Sequence, residues 1–241
     1  MKILAFDGTA KIASVAVCED DRILSLFTVD NGLTQSELLL PMAEDMLRAL
    51  KLDFSDIDLY AVAAGPGSFT GVRIGVSLVK GLAFGRGVPC VEVSTLEAMA
   101  YNLRGLGEAI CVPCMDARRG QFYCATFSLT ESVDHATRID EDGARSLSEI
   151  SDLLSNMAAD KLYVCGDGRE KVYKHLAAQK FPVCQTPPLL AEANAASVAA
   201  VALWKYRRGE FVTDSELSPV YLRLPQAERE RLEREEADKK V

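Results

Sequence analysis

Three short stretches set a carboxylate beside a glycine turn. Asp7-Gly8-Thr9 follows the apolar run 2–6, Asp116 opens Asp116-Ala117-Arg118-Arg119-Gly120, and Asp167 stands between Gly166 and Gly168. A glycine turn after a strand suits close approach of a ligand to the backbone. The same residues also make plain structural turns, in which Asp7 caps and the glycines supply φ > 0. Short glycine turns are weakly specific, so the structural reading is favoured and the ligand reading stays open. Arg118 and Arg119 add charge without a Walker-type context, and no lysine follows a glycine loop as in P-loop enzymes.

Cysteine and histidine offer less. Cys111 and Cys114 form a CxxC inside AICVPCM, which reads as a buried strand. Odd spacing on a strand sends the two side chains to opposite faces, and no second CxxC or nearby His completes a metal site. Seven cysteines, an odd number, read as reduced thiols. The two histidines, His135 and His175, are far apart, and neither has a second His at ligand spacing. A peptidase needs a metal-ligand set or a triad, so that is the weakest functional reading.

The elements that must hold these residues follow from periodicity. Strands are expected at 2–6, 12–18, 23–29, 58–64 and 88–93, with the acidic Glu19-Asp20-Asp21 as a hairpin turn. A helix capped by Thr34 or Ser36 runs to about Leu50, a second from Thr70 to Gly85, and a third from Ser94 or Thr95. A looser second round begins near residue 108. It has strands at 109–115, 121–127 and 161–166, an irregular or edge stretch at 128–145, and helices at 147–157, 169–178 and 193–208. Two rounds of similar order predict a duplicated α/β fold of mixed sheets flanked by helices, like the two-domain actin, sugar-kinase and Hsp70 ATPase fold. The expected division is 1–105, 106–225 with helix 193–208 packing back on the first part, and a charged tail at 226–241.

The 241 residues are 49% hydrophobic and 26% charged, which allows a packed core and argues against disorder. No apolar run approaches the roughly 20 residues of a membrane span, and Asp7 interrupts the N-terminal run early. These readings give a cytosolic protein with no membrane partner. The net charge is −8 and the pI about 5.0. Tight autonomous binding of nucleic acid usually shows a basic face, so direct nucleic-acid binding is the less favoured option.

ILAFDGTA, AGPGSFTGVRIGVSLVKGLA, MDARRGQFYCA and PVYLR (219–223) together resemble the TsaB (YeaZ) family, with a likeness running from about residue 2 to 223. The resemblance implies the actin-like, ribonuclease H-like superfold. It also implies a non-catalytic subunit in threonylcarbamoyl modification of the tRNA adenosine 3′ of the anticodon, position 37. The implied partners are the catalytic sister TsaD, the ATPase TsaE and a second copy of the chain, with tRNA reached only through the complex. In that superfold an Asp-Gly-Thr turn touches phosphate and a second Asp holds a magnesium-bound water or acts as base. Asp7, Gly8, Thr9, Asp116, Gly166, Asp167 and Gly168 are therefore candidates for a vestigial nucleotide site. No cofactor is implied as required, and ATP or ADP binding is left open. In TsaD a His-x-Glu-x-His motif binds metal after the corresponding strand, whereas here Thr95 and Met99 take the two ligand positions and only Glu97 is kept. No catalytic or metal residue is therefore assigned. An independent ATP-hydrolysing enzyme using Asp7 and Asp116 is the alternative.

The helix from Thr70 spaces Gly71 and Gly75 four apart, and Ser77, Gly81 and Gly85 repeat that spacing on another face. Each glycine within a helix costs about 1 kcal/mol against alanine, so close packing must compensate. One glycine face is expected on the chain's own sheet. The other, with the apolar side of helix 34–50, is the expected partner interface: Leu39, Met42, Met46, Gly71, Arg73, Gly75, Leu78, Gly81, Leu82 and Gly85.

Overall fold

The computed structural model describes residues 1–131 and 136–223. His135 and the tail 226–241 lie outside the described residues. The first sheet contains β1 (Lys2–Asp7), β2 (Ala13–Glu19), β3 (Arg22–Val29), β4 (Leu59–Gly65) and β5 (Cys90–Ser94), in the order β3-β2-β1-β4-β5. β1 pairs antiparallel with β2 and parallel with β4. Such a central strand is covered on both faces, so it reads as an unbroken apolar run rather than an alternation. Ile3 and Ala5 go to one core, Leu4 and Phe6 to the other.

Two helices cover the Leu4–Phe6 side: α1 (Gln35–Leu50) and α2 (Phe69–Ala83). Thr34, not Ser36, is the N-cap of α1, and the Glu37 carboxylate accepts its N–H at 2.9 Å. The opposite side is covered by α3 (Thr95–Tyr101) and, from far along the chain, α6 (Ala195–Arg207). The alanines of α6 let it lie close on the sheet, where Ala195, Ala199 and Ala202 are fully buried.

The second sheet repeats the plan around β6 (Ala109–Asp116). Its path is β10-β7-β6-β11-β12, from β7 (Gln121–Cys124), β10 (Gly143–Ser146), β11 (Leu162–Cys165) and β12 (Val183–Cys184). As around β1, one neighbour is antiparallel and the other parallel. β8 (Phe127–Leu129) and β9 (Thr137–Arg138) extend the antiparallel side. The single strand expected at 121–127 is broken: the Thr126 N–H turns to the Asp140 carboxylate, and pairing to β6 resumes at Phe127. Helices α4 (Leu147–Ser155) and α5 (Arg169–Ala178) cover one face. Cys111 and Cys114 belong to the two different cores beside β6, as their odd spacing requires.

Hydrogen bonds and ion pairs join the halves. Glu97 on α3 faces Lys205 at 3.7 Å and Arg138 at 4.0 Å, and the Ser94 hydroxyl donates to Asp142 at 2.6 Å.

Candidate functional site

A cleft of about 920 Å³ opens between the turn after β1, the N-terminus of α2 and the turn after β6. On the first wall Asp7 is buried. Its Oδ1 accepts the Thr9 N–H at 2.9 Å and the Thr9 hydroxyl at 2.7 Å, while Oδ2 has no partner among the described residues. Burial pushes the Asp7 carboxyl above its usual range, against both hydrogen bonds from Thr9. Helix α2 clamps this turn. The Ser68 N–H donates to the Thr9 carbonyl at 2.7 Å, and a Cβ on Gly71 would stand 2.0 Å from the Gly8 carbonyl oxygen. From α1, Gln35 donates to the Ala10 carbonyl at 2.8 Å.

On the second wall Asp116 and Asp167 come together across β6 and β11. The Asp116 N–H donates to the Asp167 carboxylate at 2.9 Å. The Asp116 carboxylate accepts the Arg118 N–H at 2.8 Å and the Lys171 ammonium at 3.0 Å. The lysine holds the Asp116 carboxyl below the usual carboxylate range, with the Arg118 N–H helping. Gly166 needs its glycine, since its φ is +92 and a Cβ would lie 2.2 Å from the Cys114 carbonyl oxygen.

A strap completes the site. Val220 donates to the Ala64 carbonyl at 2.8 Å, and Tyr221 accepts the Arg73 Nε–H at 2.7 Å while its ring meets Phe69 at 4.9 Å. Arg223 then crosses to the second wall, donating to the Ala117 carbonyl at 3.1 Å. Of the residues singled out from sequence, Thr9, Asp116 and Asp167 line the cleft, while Asp7, Gly8, Gly166 and Gly168 lie behind its surface. Residue typing missed Lys11, Tyr123, Tyr221 and Arg223, which also line it. The 219–223 motif was the one signal for the last two.

The two positions that the family resemblance sets against the sister's metal motif are closed. Thr95 and Met99 are 0% and 1% exposed, and the Thr95 hydroxyl has no partner among the described residues. Among those residues no group of three or more His, Cys, Asp or Glu is placed to hold a metal. His175 ties α5 to α4 through Ser151 at 3.2 Å.

The expected partner face needs correction. Leu39, Met42 and Met46 are buried in the chain's own core, because the apolar side of α1 packs on the sheet. Gly71 and Gly75 are buried too, against the Gly8 carbonyl and Val62. Helix α2 ends at Ala83, so Gly85, at φ +68, does not extend the helical row. What faces outward is Arg73, Ser77 and Gly81, with Leu78 and Leu82 half-buried beside them.

Residues 34–184 match the family model of TsaD, tRNA N6-adenosine threonylcarbamoyltransferase. The tRNA threonylcarbamoyladenosine biosynthesis protein TsaB of Escherichia coli is 31% identical, covering 92% of this chain and 95% of its own length. YeaZ from Pseudomonas aeruginosa superposes with a TM-score of 0.78 at 27% identity, covering 92% of this chain and 99% of that one. The activator of the 2-hydroxyisocaproyl-CoA dehydratase from Clostridium difficile, with bound ADPNP, has a TM-score of 0.50 at 10% identity and covers 92% of this chain and all of its own, a likeness of fold alone. With its two repeated mixed sheets on the actin-like, ribonuclease H-like plan, the chain belongs to the TsaB (YeaZ) family.

Proposed function

We propose that the chain serves tRNA threonylcarbamoyladenosine biosynthesis as a non-catalytic subunit, pairing with a TsaD-type threonylcarbamoyltransferase and stabilising or activating it. The observation that carries this reading is the closed core at Thr95 and Met99. The sister's metal pair would stand there, and these side chains instead fill space between the sheets. Glu97, the residue kept from that motif, is held by Lys205 and Arg138. The partner surface in this reading is the outward face of α2 around Arg73, Leu78, Gly81 and Leu82, extended by Phe84, which is 79% exposed. A homodimer would use the same face and compete with the heterodimer. The ATPase TsaE joins the pair, tRNA is met through the complex, and the compartment is the cytoplasm.

Gel filtration of the chain with its cognate TsaD-type subunit tests the pairing. Co-elution, together with loss of the modified nucleoside on depletion of the chain, is expected. Separate elution with normal nucleoside levels overturns the proposal. The cleft carrying Thr9, Asp116 and Asp167 favours a second reading, an ATP-binding enzyme. Calorimetry with ATP and magnesium on the isolated chain decides it, since absence of binding at millimolar nucleotide removes it.

A further inference from the structure

Beyond α6 the chain runs as a strap along the first half before it reaches the cleft. Val212 and Cys90 exchange backbone hydrogen bonds at 2.9 Å, so the strap covers the open edge of β5. Lys80 on α2 donates to the carbonyls of Ser215 and Leu217 at 3.1 and 2.9 Å, and Leu217 is buried. The Ser218 N–H donates to the Glu92 carboxylate at 2.6 Å. Val220 ends this firm part: its N–H bonds Ala64, and a Cβ on Gly65 would stand 2.5 Å from its carbonyl oxygen.

The three residues that follow are held differently. The backbone N–H groups of Tyr221, Leu222 and Arg223 donate to nothing among the described residues. Tyr221 is 39% exposed and hangs on the Arg73 Nε–H and the Phe69 ring. Arg223 reaches the second wall through its hydrogen bond to the Ala117 carbonyl, with its guanidinium 5.8 Å from the centre of the Tyr123 ring. Backbone bonds thus seat the strap as far as Val220, and two side-chain hydrogen bonds fasten it across the mouth of the cleft.

Arg73 is the exposed end of that fastening, on the outward row of α2 with Ser77 and Gly81. Its guanidinium lies 3.9 Å over the Phe69 ring and 5.6 Å from the Tyr221 ring. Stacking and the Nε–H bond fix the plane of the fork, while its two terminal amino groups make no hydrogen bond or ion pair among the described residues. A guanidinium held in this way is pre-organised to take a carboxylate end-on, two oxygens on two nitrogens.

We propose that Arg73 couples the α2 face to the cleft: a carboxylate of the partner subunit, bound end-on to Arg73, locks the Tyr221–Arg223 latch shut across the cleft mouth. The coupling, which rests on the proposed pairing with a TsaD-type subunit, works through rigidity. A carboxylate on the free edge of the guanidinium removes its remaining freedom, so the Tyr221 hydroxyl keeps its donor. By linkage the closed latch favours the partner to the same degree.

The test places a reporter thiol in the latch. In the full chain carrying Cys184→Ser and Leu222→Cys, the introduced thiol is the reactive one, since the other six cysteines are buried. Its rate of reaction with a coloured disulfide reagent reads latch opening. Arg73→Gln and Tyr221→Phe are each expected to speed labelling at least about fivefold, the weight of one net hydrogen bond, with unchanged melting curves. Lys174→Ala, on the exposed side of α5, is the charge control and stays within about twofold. Saturating TsaD-type subunit is expected to slow labelling at least about fivefold, but not in the Tyr221→Phe chain, where Arg73 no longer reaches the strap. Labelling of both variants within about twofold of the reporter chain overturns the latch. A co-eluting partner that slows the reporter chain and the Tyr221→Phe chain alike, or neither, overturns the coupling. Failure to co-elute removes the pairing and the coupling together, while the labelling of the isolated chain still decides the latch.

Discussion

Replacing Gly71 by alanine separates two uses of glycine on α2. The new Cβ would stand 2.0 Å from the Gly8 carbonyl oxygen, an atom of backbone that cannot rotate away. Close C–H···O contacts run about 3.3–3.6 Å, so α2 and the Asp7–Thr9 turn must part by more than about 1 Å. Overpacking of this kind costs about 1–3 kcal/mol, and the Ser68-to-Thr9 hydrogen bond across the same gap adds about 1 kcal/mol if lost. Alanine returns at most about 1 kcal/mol of helix propensity. The net destabilisation is about 1–3 kcal/mol, a fall in Tm of roughly 2–12 °C for a chain of this size. Gly75→Ala meets only the Val62 Cγ2, at 3.2 Å, a side-chain atom that yields, so it stays within about 1 kcal/mol of wild type. Gly81→Ala meets nothing within 4 Å and is expected to stabilise by about 0.5–1 kcal/mol. Thermal melts followed by circular dichroism at one protein concentration rank the three. A Gly71→Ala melt at or above wild type, or a Gly81→Ala melt clearly below it, refutes the assignment of Gly71 to the turn and of Gly81 to the outer face.

Asp7→Asn keeps an acceptor for both Thr9 donors and removes a buried charge. Because burial raises the folded carboxyl pKa above its ordinary 3.8, the contribution of Asp7 is fully present below about pH 4 and is lost as pH rises through the folded value. The wild-type Tm should fall across that window more than the Asp7→Asn Tm, and parallel profiles from pH 4 to 7 would contradict this. Thr95→Val replaces an unpartnered buried hydroxyl by a methyl and should stabilise by about 1 kcal/mol in chemical denaturation. The pair Thr95→His/Met99→His should lose the cooperative melt and gain no zinc affinity, since both positions are fully packed. Of the seven cysteines only Cys184 is not buried, so one thiol should react quickly with a coloured disulfide reagent in the native protein and the rest only on unfolding.

The sheets were legible because β1, β4 and β6 are nearly continuous apolar runs punctuated by glycine or aspartate. The opposite fates of Cys111 and Cys114 followed from strand alternation alone. The outward face of α2 was not legible. Spacing of four puts Gly71 and Gly75 on one side, but nothing local says that the Gly8 carbonyl waits there. The apolar stripe of α1 likewise cannot tell its own sheet from a partner, and Leu39, Met42 and Met46 went to the sheet. The strap at 219–223 has no periodicity, and its contacts with Ala64, Arg73 and Ala117 span 106 to 156 positions of sequence, beyond any local pattern. The break at Thr126 depends on Asp140, fourteen positions further along the chain and outside the strand's own alternation.

The most direct test is reconstitution. The cognate TsaD-type subunit is incubated with tRNA, threonylcarbamoyl-adenylate, TsaE and ATP, with and without this chain, and the threonylcarbamoyl adenosine formed is measured. The chain alone should transfer nothing, and its addition should give a co-eluting complex and raise transfer well above the level without it. Transfer by the chain alone, or full transfer by the TsaD-type subunit without it, would contradict the account.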